Sequence, residues 1–407
     1  MRMRILPMAV LLGSVIGRAD VVGDWNSIMM ATATVDPFNQ ARFAAITQLA
    51  VFEAVNATTG EFQPYLGTIV APLGASGEAA AIAAAHTVLR TYFPARAATL
   101  DAARASSLAA IPDGPAKTAG ITVGEAAAGA MMEARNNDGS ATPEFYLPPP
   151  PAPGQWQMTP SCGGNGGQFL HWRNVKPFGI RSAAQFRLDP PPALNRTTYT
   201  RDYNEVKSVG SLASTERPQD RTDVARVYAT FTPTQVFNPI ARNAAHGKSL
   251  TENARALALL NMAISDAAIA TFDSKYFYNF WRPETAIQAG DTDDNPKTDA
   301  DRGFGPLIST PCFPAYPSAH ATLSTTGMEM VQRLYGRGAY SITVTSPSVA
   351  GVNLPYSNIR QIGADVDDAR VYGGIHFRFD QDQGASMGRQ IVEYVYRHQL
   401  RPKKRLR

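Results

Sequence analysis

The stretch SLTENARALALLNMAISDAAIATFDSKYF, residues 249–277, decides the fold class of this chain. Its apolar residues recur at helical spacing over many turns, which predicts one long helix. Similar spacing at residues 201–210 and 221–231 predicts further helices. The only alternating run is YSITVTSP, residues 340–347, which predicts one short hairpin edge. The sequence therefore predicts an all-α fold.

The first third of the chain also has a helical pattern. In PFNQARFAAITQLAVFEAVNAT, residues 37–58, apolar residues lie at helical spacing behind Asp36, a typical N-cap, and Pro37, a typical first helical residue. Two alanine-rich segments, residues 77–90 and 116–135, combine high helix propensity with small side chains. We therefore expect closely packed bundle helices there.

Between residues 142 and 198 the composition changes to proline and glycine, as in PEFYLPPPPAPG and SCGGNGG. Proline stops a helix and glycine permits unusual dihedral angles, so this segment is predicted to be a loop region joining two helical bundles. The predicted organisation is an N-terminal helical region at 20–141, the loop region at 142–198, and a C-terminal bundle at 199–400, followed by a basic tail at 401–407.

The N-terminus is typical of an exported protein. Residues 1–19, MRMRILPMAVLLGSVIGRA, place two arginines before an apolar run that ends in small residues, the pattern of a cleaved signal peptide. The run is shorter than the ~20 apolar residues of a transmembrane helix, and no later segment is expected to span a membrane. We therefore expect a secreted or periplasmic protein.

Composition limits the class of partner. The chain has 407 residues, of which 44% are apolar and 18% charged, as in a globular protein with a sizeable core. The net charge of +4 is compatible with an anion-binding cleft or with the basic end RPKKRLR. Basic and aromatic residues do not alternate as on a nucleic-acid-binding surface, so no nucleic-acid partner is expected. The absence of CxxC and HExxH spacings gives no support for a protein-ligated zinc site.

The two cysteines, Cys162 and Cys312, both lie in segments rich in glycine or proline. In an oxidising compartment they can form one disulfide, but the sequence leaves the bonded and the free state open. It also leaves the oligomeric state open.

Three segments in the last third contain the chemically distinctive residues. They are KYFYNFWRP at 275–283, YPSAH at 316–320 and ARVYGGIHFRFD at 369–380. Lys275, Arg282 and Arg370 put cations on apolar segments, where an unpaired charge is costly. One shared tetrahedral or trigonal-bipyramidal oxyanion would compensate all of them. Taken singly, such side chains are usually solvated or ion-paired helix residues.

The other polar residues of these segments suit an oxyanion site with acid–base chemistry. Ser318 offers a hydroxyl, and the Ala319 amide lies at a predicted helix start, where free N–H groups favour anions. Asp380 follows His376 by one helical turn and can accept its second ring N–H. His320 then remains as a general acid or base. The simpler alternatives are an ordinary helix cap and a salt-bridged surface helix.

Together, K-x6-R-P, P-S-(small)-H and R-x5-H-x3-D resemble the signature of the vanadium-dependent haloperoxidases, within the superfamily that includes the type 2 phosphatidic acid phosphatases (PAP2). The resemblance spans residues 275–380. It implies an all-helical fold with two four-helix bundles and a vanadate cofactor in trigonal-bipyramidal geometry. The helical N-terminal half and the FWRP and GGIHFRFD segments resemble the haloperoxidase branch more than the membrane lipid phosphatases.

The resemblance implies a role for each matching residue. His376 would be the apical ligand of vanadium, oriented by Asp380, and His320 would be the acid–base group beside the opposite apical oxygen. Lys275 would also polarise the peroxide. The groups that would bind the equatorial oxygens are Lys275, Arg282, Arg370, Ser318 and the amide of Ala319.

At three positions the residue of this chain can be compared with the residue that is usual in the family. The family usually has glycine where Ala319 stands, but the amide survives this change. A serine commonly precedes the arginine, where this chain has Ala369. Phe313 matches the pattern of chloride-oxidising members and is the candidate for the halide pocket. Many bacterial relatives do not follow that rule, so the halide stays open among bromide, iodide and chloride.

The predicted function is a vanadate-dependent haloperoxidase with Lys275, His320 and His376 as catalytic residues. It would oxidise a halide with hydrogen peroxide to a hypohalous acid, which can react with a small organic acceptor. The alternative is a soluble PAP2-type acid phosphatase in which His376 carries the phosphoryl group as a phosphohistidine. A non-enzymatic phosphate-binding protein explains the paired histidines less well.

The histidines outside these segments are predicted to be less directly involved. His171 and Trp172, in the glycine-rich loop, are candidates for the substrate entrance, because function often resides in such loops. His86 is predicted to be a packed helix residue and His398 a surface residue.

Overall fold

The computed structural model describes residues 10–11, 20–230, 232–338, 340–346 and 349–403. These residues form thirteen α-helices and one small antiparallel sheet, so the all-α prediction is confirmed. The helices are α1 (Val21–Thr32), α2 (Pro37–Thr59), α3 (Gly77–Tyr92), α4 (Ala97–Ala109), α5 (Pro115–Ala134), α6 (Thr197–Val209), α7 (Gln219–Val227), α8 (Pro233–Ala244), α9 (Leu250–Tyr278), α10 (Pro283–Gln288), α11 (Ala319–Tyr335), α12 (Ile359–Tyr372) and α13 (Arg378–His398).

The small sheet contains the hairpin predicted from the alternating run. Its strands are β1 (Val10–Leu11), β2 (Ile342–Thr345) and β3 (Asn353–Tyr356). Strand β2 pairs antiparallel with β3, Ile342 opposite Tyr356, and with β1 on its other edge.

The helix predicted at residues 249–277 is α9, and it connects the two halves of the molecule. Ser249 and Glu252 form a capping box that satisfies free N–H groups at its start. It ends at Asn279, whose φ of +48° is left-handed. Helix α9 packs against α2 of the N-terminal half and against α11 and α13 of the C-terminal half. Side chains from both halves therefore share one continuous hydrophobic core.

By length and composition alone, α9 qualifies as a membrane-spanning helix, which the sequence analysis did not expect of any later segment. However, 94% of its most apolar window is buried inside the protein. Burial against other helices explains its all-round apolar character, so α9 has the properties of a core helix.

Helices α2, α3 and α5 form where the sequence predicts helices, whereas α1 and α4 were not predicted. Asp36 caps α2 by accepting from the amides of Phe38 and Asn39, both at 3.1 Å. Helix α3 packs against α5 and α2. A Cβ atom at Gly124 of α5 would lie 2.3 Å from the carbonyl oxygen of Ala80, so this close approach requires glycine.

Residues 135–196, between α5 and α6, contain three short 3-10 turns and no α-helix. This segment contacts the C-terminal half through backbone hydrogen bonds, including Trp156 N to Asn279 O at 2.8 Å. The disulfide that the sequence left open is formed between Cys162 and Cys312. The proposed domain boundaries at 142 and 199 stay a prediction.

Two terminal predictions fall largely outside the described residues. Of the predicted signal peptide, residues 1–19, only the backbone of residues 10–11 is described. Residues 404–407 of the predicted basic tail also lie outside.

Candidate active site

The predicted site residues come together where five helices end or begin. Lys275 lies in the last turn of α9, and Arg282 directly precedes α10. Ser318 is the N-cap of α11, and Arg370 lies in the last turn of α12. His376 lies in the turn before α13. Helix ends therefore place side chains that are far apart in sequence at one location.

The turn between α12 and α13 depends on glycine. Gly374 has a φ of +79°, and a Cβ atom there would lie 2.3 Å from the carbonyl oxygen of Gly210. Because the turn is tight, His376 lies close to Arg370 in space as well as in sequence.

The three predicted cations are buried, with exposed fractions of 0% for Lys275, 0% for Arg282 and 1% for Arg370. Burial lowers the pKa of Lys275 well below its ordinary value, and the charge of Arg282 lowers it further. Burial also lowers the pKa of Arg282 to about 9 and that of Arg370 to about 10. These directions show that the positive charges are poorly compensated by the protein itself.

Lys275 is held by the backbone of the loop before α11. Its Nζ donates to the carbonyl oxygens of Pro314 at 2.8 Å and Ala315 at 2.7 Å. The ring centroid of Phe313 lies 5.2 Å from Nζ. An ammonium has three N–H donors, so one remains for a ligand.

The same loop and the α12–α13 turn hold Arg282. Its Nε donates to the Phe313 carbonyl at 2.8 Å, and its Nη1 donates to the Ile375 carbonyl at 2.9 Å. Nη1 also lies 2.9 Å from Nε2 of His376. The Phe313 ring lies over this guanidinium too, with its centroid 5.1 Å from Cζ. The loop thus fixes Arg282 from one side and His376 contacts it from the other.

His376 has a partner at each ring nitrogen. Nδ1 lies 2.8 Å from Oδ2 of Asp380, and Nε2 faces Arg282. Since a guanidinium only donates, Nε2 is the acceptor and Nδ1 carries the proton. Burial lowers the pKa of His376 well below its ordinary value, and the cations Arg282, Lys275 and Arg370 lower it further. The imidazole is therefore neutral, with an acceptor nitrogen directed at the cations.

Asp380 completes this arrangement from the first turn of α13. It is fully buried, and burial raises its pKa to about 7 although Lys275 and Arg282 lower it. Its Oδ2 also accepts from the Phe377 amide at 3.1 Å. The predicted i to i+4 pair is present, and it is buried instead of being a surface salt bridge.

The start of α11 has the properties of a helix cap and of an anion site at once. Oγ of Ser318 accepts from the Ala321 amide at 3.3 Å, so Ser318 is a cap. Its hydroxyl hydrogen can still donate. The Ala319 amide lies in the first turn, where N–H groups have no helical acceptor. His320 follows, half-buried, and its charge contributes to lowering the pKa of His376.

The remaining histidines lie elsewhere. His171 is buried, accepts from the Glu144 amide at 3.4 Å and packs edge-on against Trp172. Phe169, two residues earlier, is the aromatic residue of this loop that contacts Phe313, with centroids 6.3 Å apart. His86 is a packed helix residue, as predicted, and His398 stacks on Tyr394 at the surface.

Sequence reasoning missed the backbone groups of the site. The carbonyls of Phe313, Pro314 and Ala315 hold Arg282 and Lys275, and the Ile375 carbonyl holds Arg282. The available signal was the density of prolines at 311, 314 and 317, because such a segment cannot be helical and leaves carbonyls free to accept.

Comparisons with known proteins show what this chain is similar to. Residues 255–404 match the family model of the VCPO second helical-bundle domain. This range includes every residue of the predicted oxyanion site. This part of the chain, which contains the candidate site, is therefore similar to the vanadium haloperoxidases. The resemblance found in the sequence is thereby confirmed.

One curated relative of this chain is the vanadium chloroperoxidase of Curvularia inaequalis. It is 28% identical over 201 residues, covering 41% of this chain. The matched region covers 32%, about a third, of that relative's length.

Solved structures share the fold of this chain over nearly its whole length. A bacterial vanadium-dependent iodoperoxidase has a TM-score of 0.78 at 23% identity, covering 95% of this chain and 97% of that one. A holo-type bacterial vanadium-dependent chloroperoxidase has a TM-score of 0.69 at 17% identity, covering 89% and 92%. At these identities the likeness establishes the fold.

The residues present fit vanadate. Arg282 Nη2 and Arg370 Nε and Nη2 are buried and lack a hydrogen-bond partner among the described residues. Buried donors of this kind are costly unless a ligand accepts from them. Cations, a hydroxyl and helix-start amides suit an oxyanion, and no cluster of three or more His, Cys, Asp or Glu able to hold a metal cation occurs in the described part of the chain.

Proposed function

We propose that this chain is a vanadate-dependent haloperoxidase that oxidises a halide with hydrogen peroxide to a hypohalous acid. The observation that carries the proposal is the burial of Lys275, Arg282 and Arg370 near His376, whose Nε2 lies 2.9 Å from Arg282 Nη1. An oxyanion would compensate the three buried charges, and His376 Nε2 offers a ligand to its central atom. The partners are hydrogen peroxide, a halide and a small organic acceptor.

Vanadate, when bound, supplies a Lewis acid that activates hydrogen peroxide. The residues of this chain would hold it in distinct ways. His376 would coordinate through Nε2, while Asp380 keeps the proton on Nδ1 and fixes the ring. Because Arg282 Nη1 donates to the same Nε2, this N–H must be redirected to the oxyanion when His376 becomes a ligand. Arg370 contributes two buried donors, Nε and Nη2, that no described residue uses.

We assign proton transfer to His320 and polarisation of the peroxide to Lys275. His320 lies at the start of α11, next to the predicted anion site, and would accept a proton from the peroxide. The third N–H of Lys275 would donate to a peroxide oxygen and draw electron density from it. The Phe313 ring lies against Lys275 and Arg282 and limits their hydration, which strengthens these interactions.

The halide is proposed to be bromide or iodide, with chloride as a third candidate. The relatives named above are chloroperoxidases and an iodoperoxidase. Phe313, whose ring adjoins both Lys275 and Arg282, is the candidate for the halide pocket. Steady-state assays with each halide at constant peroxide concentration would rank them.

One pair of assays tests the function. Purified protein is reconstituted with orthovanadate, and bromination of a dye is followed with bromide and peroxide, while iodide oxidation is measured separately. We expect activity that requires vanadate and is lost in His376→Ala. In parallel, hydrolysis of an aryl phosphate is measured with vanadate-free protein. Hydrolysis without halide oxidation would instead identify a PAP2-type acid phosphatase.

We also propose that the protein is exported to the periplasm or secreted. The N-terminal pattern supports this, and the Cys162–Cys312 disulfide suits an oxidising compartment. Cell fractionation with N-terminal sequencing of the mature chain tests it. Recovery of the unprocessed chain from the cytoplasm would contradict the proposal.

A further inference from the structure

The Cys162–Cys312 disulfide lies beside the candidate site although neither cysteine belongs to it. It joins two residues 150 positions apart, with Cα atoms separated by 5.2 Å. Both cysteines are buried. Cys162 belongs to the proline- and glycine-rich segment, and Cys312 directly precedes Phe313. The disulfide therefore connects that segment to the loop that holds two of the cations.

This loop, residues 310–316, provides the backbone partners of Lys275 and Arg282. Three consecutive carbonyls, those of Phe313, Pro314 and Ala315, accept from the two cations at 2.7–2.8 Å. The loop has no helical or strand hydrogen bonds of its own. The positions of these carbonyls therefore depend on how the rest of the loop is fixed.

Other contacts between the two segments surround the disulfide. The Gln168 amide donates to the Cys312 carbonyl at 2.7 Å. Ser161 Oγ donates to the Thr310 carbonyl at 2.6 Å, and the Thr310 hydroxyl bonds to Glu284. The disulfide is the covalent member of this group, and it adjoins the first of the three carbonyls.

We propose that the Cys162–Cys312 disulfide is a positioning element of the oxyanion site. It holds the 310–316 loop so that its carbonyls direct Lys275 and Arg282 at the ligand. Without the bond the loop gains conformational freedom, the two cations are less well oriented, and oxyanion affinity falls. This inference rests on the proposed oxyanion function and adds a role for the proline- and glycine-rich segment.

The test measures oxyanion affinity in the double variant Cys162→Ser/Cys312→Ser. Binding of orthovanadate and of inorganic phosphate is followed by calorimetry, at a temperature where circular dichroism shows both proteins folded. We expect dissociation constants raised about tenfold, as for lost outer contacts of a metal site. The matched control is Tyr65→Phe, which removes the bond from Tyr65 to the Phe178 carbonyl at the far end of the same segment and should leave affinity unchanged.

A double-mutant cycle separates positioning from general stabilisation. In a Lys275→Ala background the carbonyls of Pro314 and Ala315 have lost their cation, so removing the disulfide should raise the dissociation constant less, by about threefold. A lower melting temperature with unchanged oxyanion affinity would overturn the inference, as would an equal loss of affinity in both backgrounds. If the double variant does not fold, Ser161→Ala is used instead, because it removes the hydrogen bond from Ser161 to the Thr310 carbonyl between the same two segments. It is then combined with Lys275→Ala in the same double-mutant cycle.

The two proposals fail in different ways. Native protein that binds phosphate or vanadate but shows no halide oxidation contradicts the haloperoxidase function and leaves the positioning role intact. Native protein that oxidises halide, with a double variant of unchanged affinity, contradicts the positioning role alone.

Discussion

His376 Nδ1 lies 2.8 Å from Asp380 Oδ2, and both side chains are buried where α13 begins. The carboxylate fixes the tautomer that leaves Nε2 as an acceptor. Asp380→Asn keeps the shape but offers an amide donor or a neutral oxygen to Nδ1. We expect vanadate affinity to fall about 10–100-fold, the effect of losing a carboxylate behind a metal-binding histidine.

Titration calorimetry with vanadate measures this effect. Asp382→Asn is the matched control, because Asp382 is an exposed residue of the same helix and should leave affinity unchanged. Equal affinities for native protein and Asp380→Asn would show that Asp380 does not orient the ligand.

Arg370 is expected to destabilise the oxyanion-free protein. Its buried Nε and Nη2 lack partners among the described residues, and burial lowers its pKa to about 10. Arg370→Met replaces an uncompensated charge by an apolar chain of similar length, so we expect the free energy of unfolding to rise by about 1–2 kcal/mol. The same change should remove most oxyanion binding.

Thermal unfolding with and without phosphate checks both effects of Arg370→Met. The control, Arg221→Met, removes a guanidinium that is paired with Asp365 and Asp368 and should lower the melting temperature. A decrease in stability for Arg370→Met would mean that the charge is compensated in the free protein.

Oxyanion binding is expected to take up a proton through Lys275. Its pKa is lowered in the free protein by burial and by Arg282, and a bound oxyanion raises it again. At a pH between the pKa of Lys275 in the free protein and its pKa in the bound protein, the lysine is neutral before binding and charged afterwards. Oxyanion affinity therefore falls as pH rises, by up to about tenfold per pH unit. Tungstate is a suitable probe because its charge is constant above neutral pH.

Calorimetry in two buffers of different ionisation enthalpy counts the protons taken up by tungstate binding. Lys275→Met should lose this uptake, which separates it from any contribution of His376. Native protein that binds tungstate without proton uptake would contradict the lowered pKa.

Phe313 is expected to set the pH at which this proton uptake occurs. Its ring lies against Lys275 and Arg282 and limits their hydration. Phe313→Ala admits water, so the pKa of free Lys275 rises and the midpoint of the affinity loss moves up by about one pH unit. Phe186→Ala, which removes a ring packed on Tyr394 instead, serves as the control. An unchanged midpoint in Phe313→Ala would exclude this role.

Lys275 is expected to matter more for peroxide activation than for vanadate loading. Two of its donors are used by carbonyls, and several other groups are proposed to bind the oxyanion. Lys275→Ala should therefore raise the vanadate dissociation constant about tenfold, whereas kcat at saturating vanadate should fall about 100-fold or more. Equal losses in both quantities would count against its assigned role.

Much of the site was predictable because it lies on helix ends with distinctive local sequences. The N-cap at Ser318 and the i to i+4 pair of His376 and Asp380 follow from spacing along a single helix or turn. The carbonyls of residues 313–315 and 375 were not predictable, because every residue has a carbonyl and only the path of the chain decides which ones face a cation.

The sequence by itself determined the helical class, the starts of α2, α9 and α11, and the residues of the proposed oxyanion site. These depend on local propensity, capping and residue type, which act over a few positions. Only the tertiary structure decided that α9 joins both halves through one core, that Cys162 pairs with Cys312, and that Arg282 donates to His376. Such contacts join positions far apart in the sequence, 150 residues for the disulfide and 192 residues for Thr59 of α2 and Thr251 of α9. Their existence depends on how the whole chain packs.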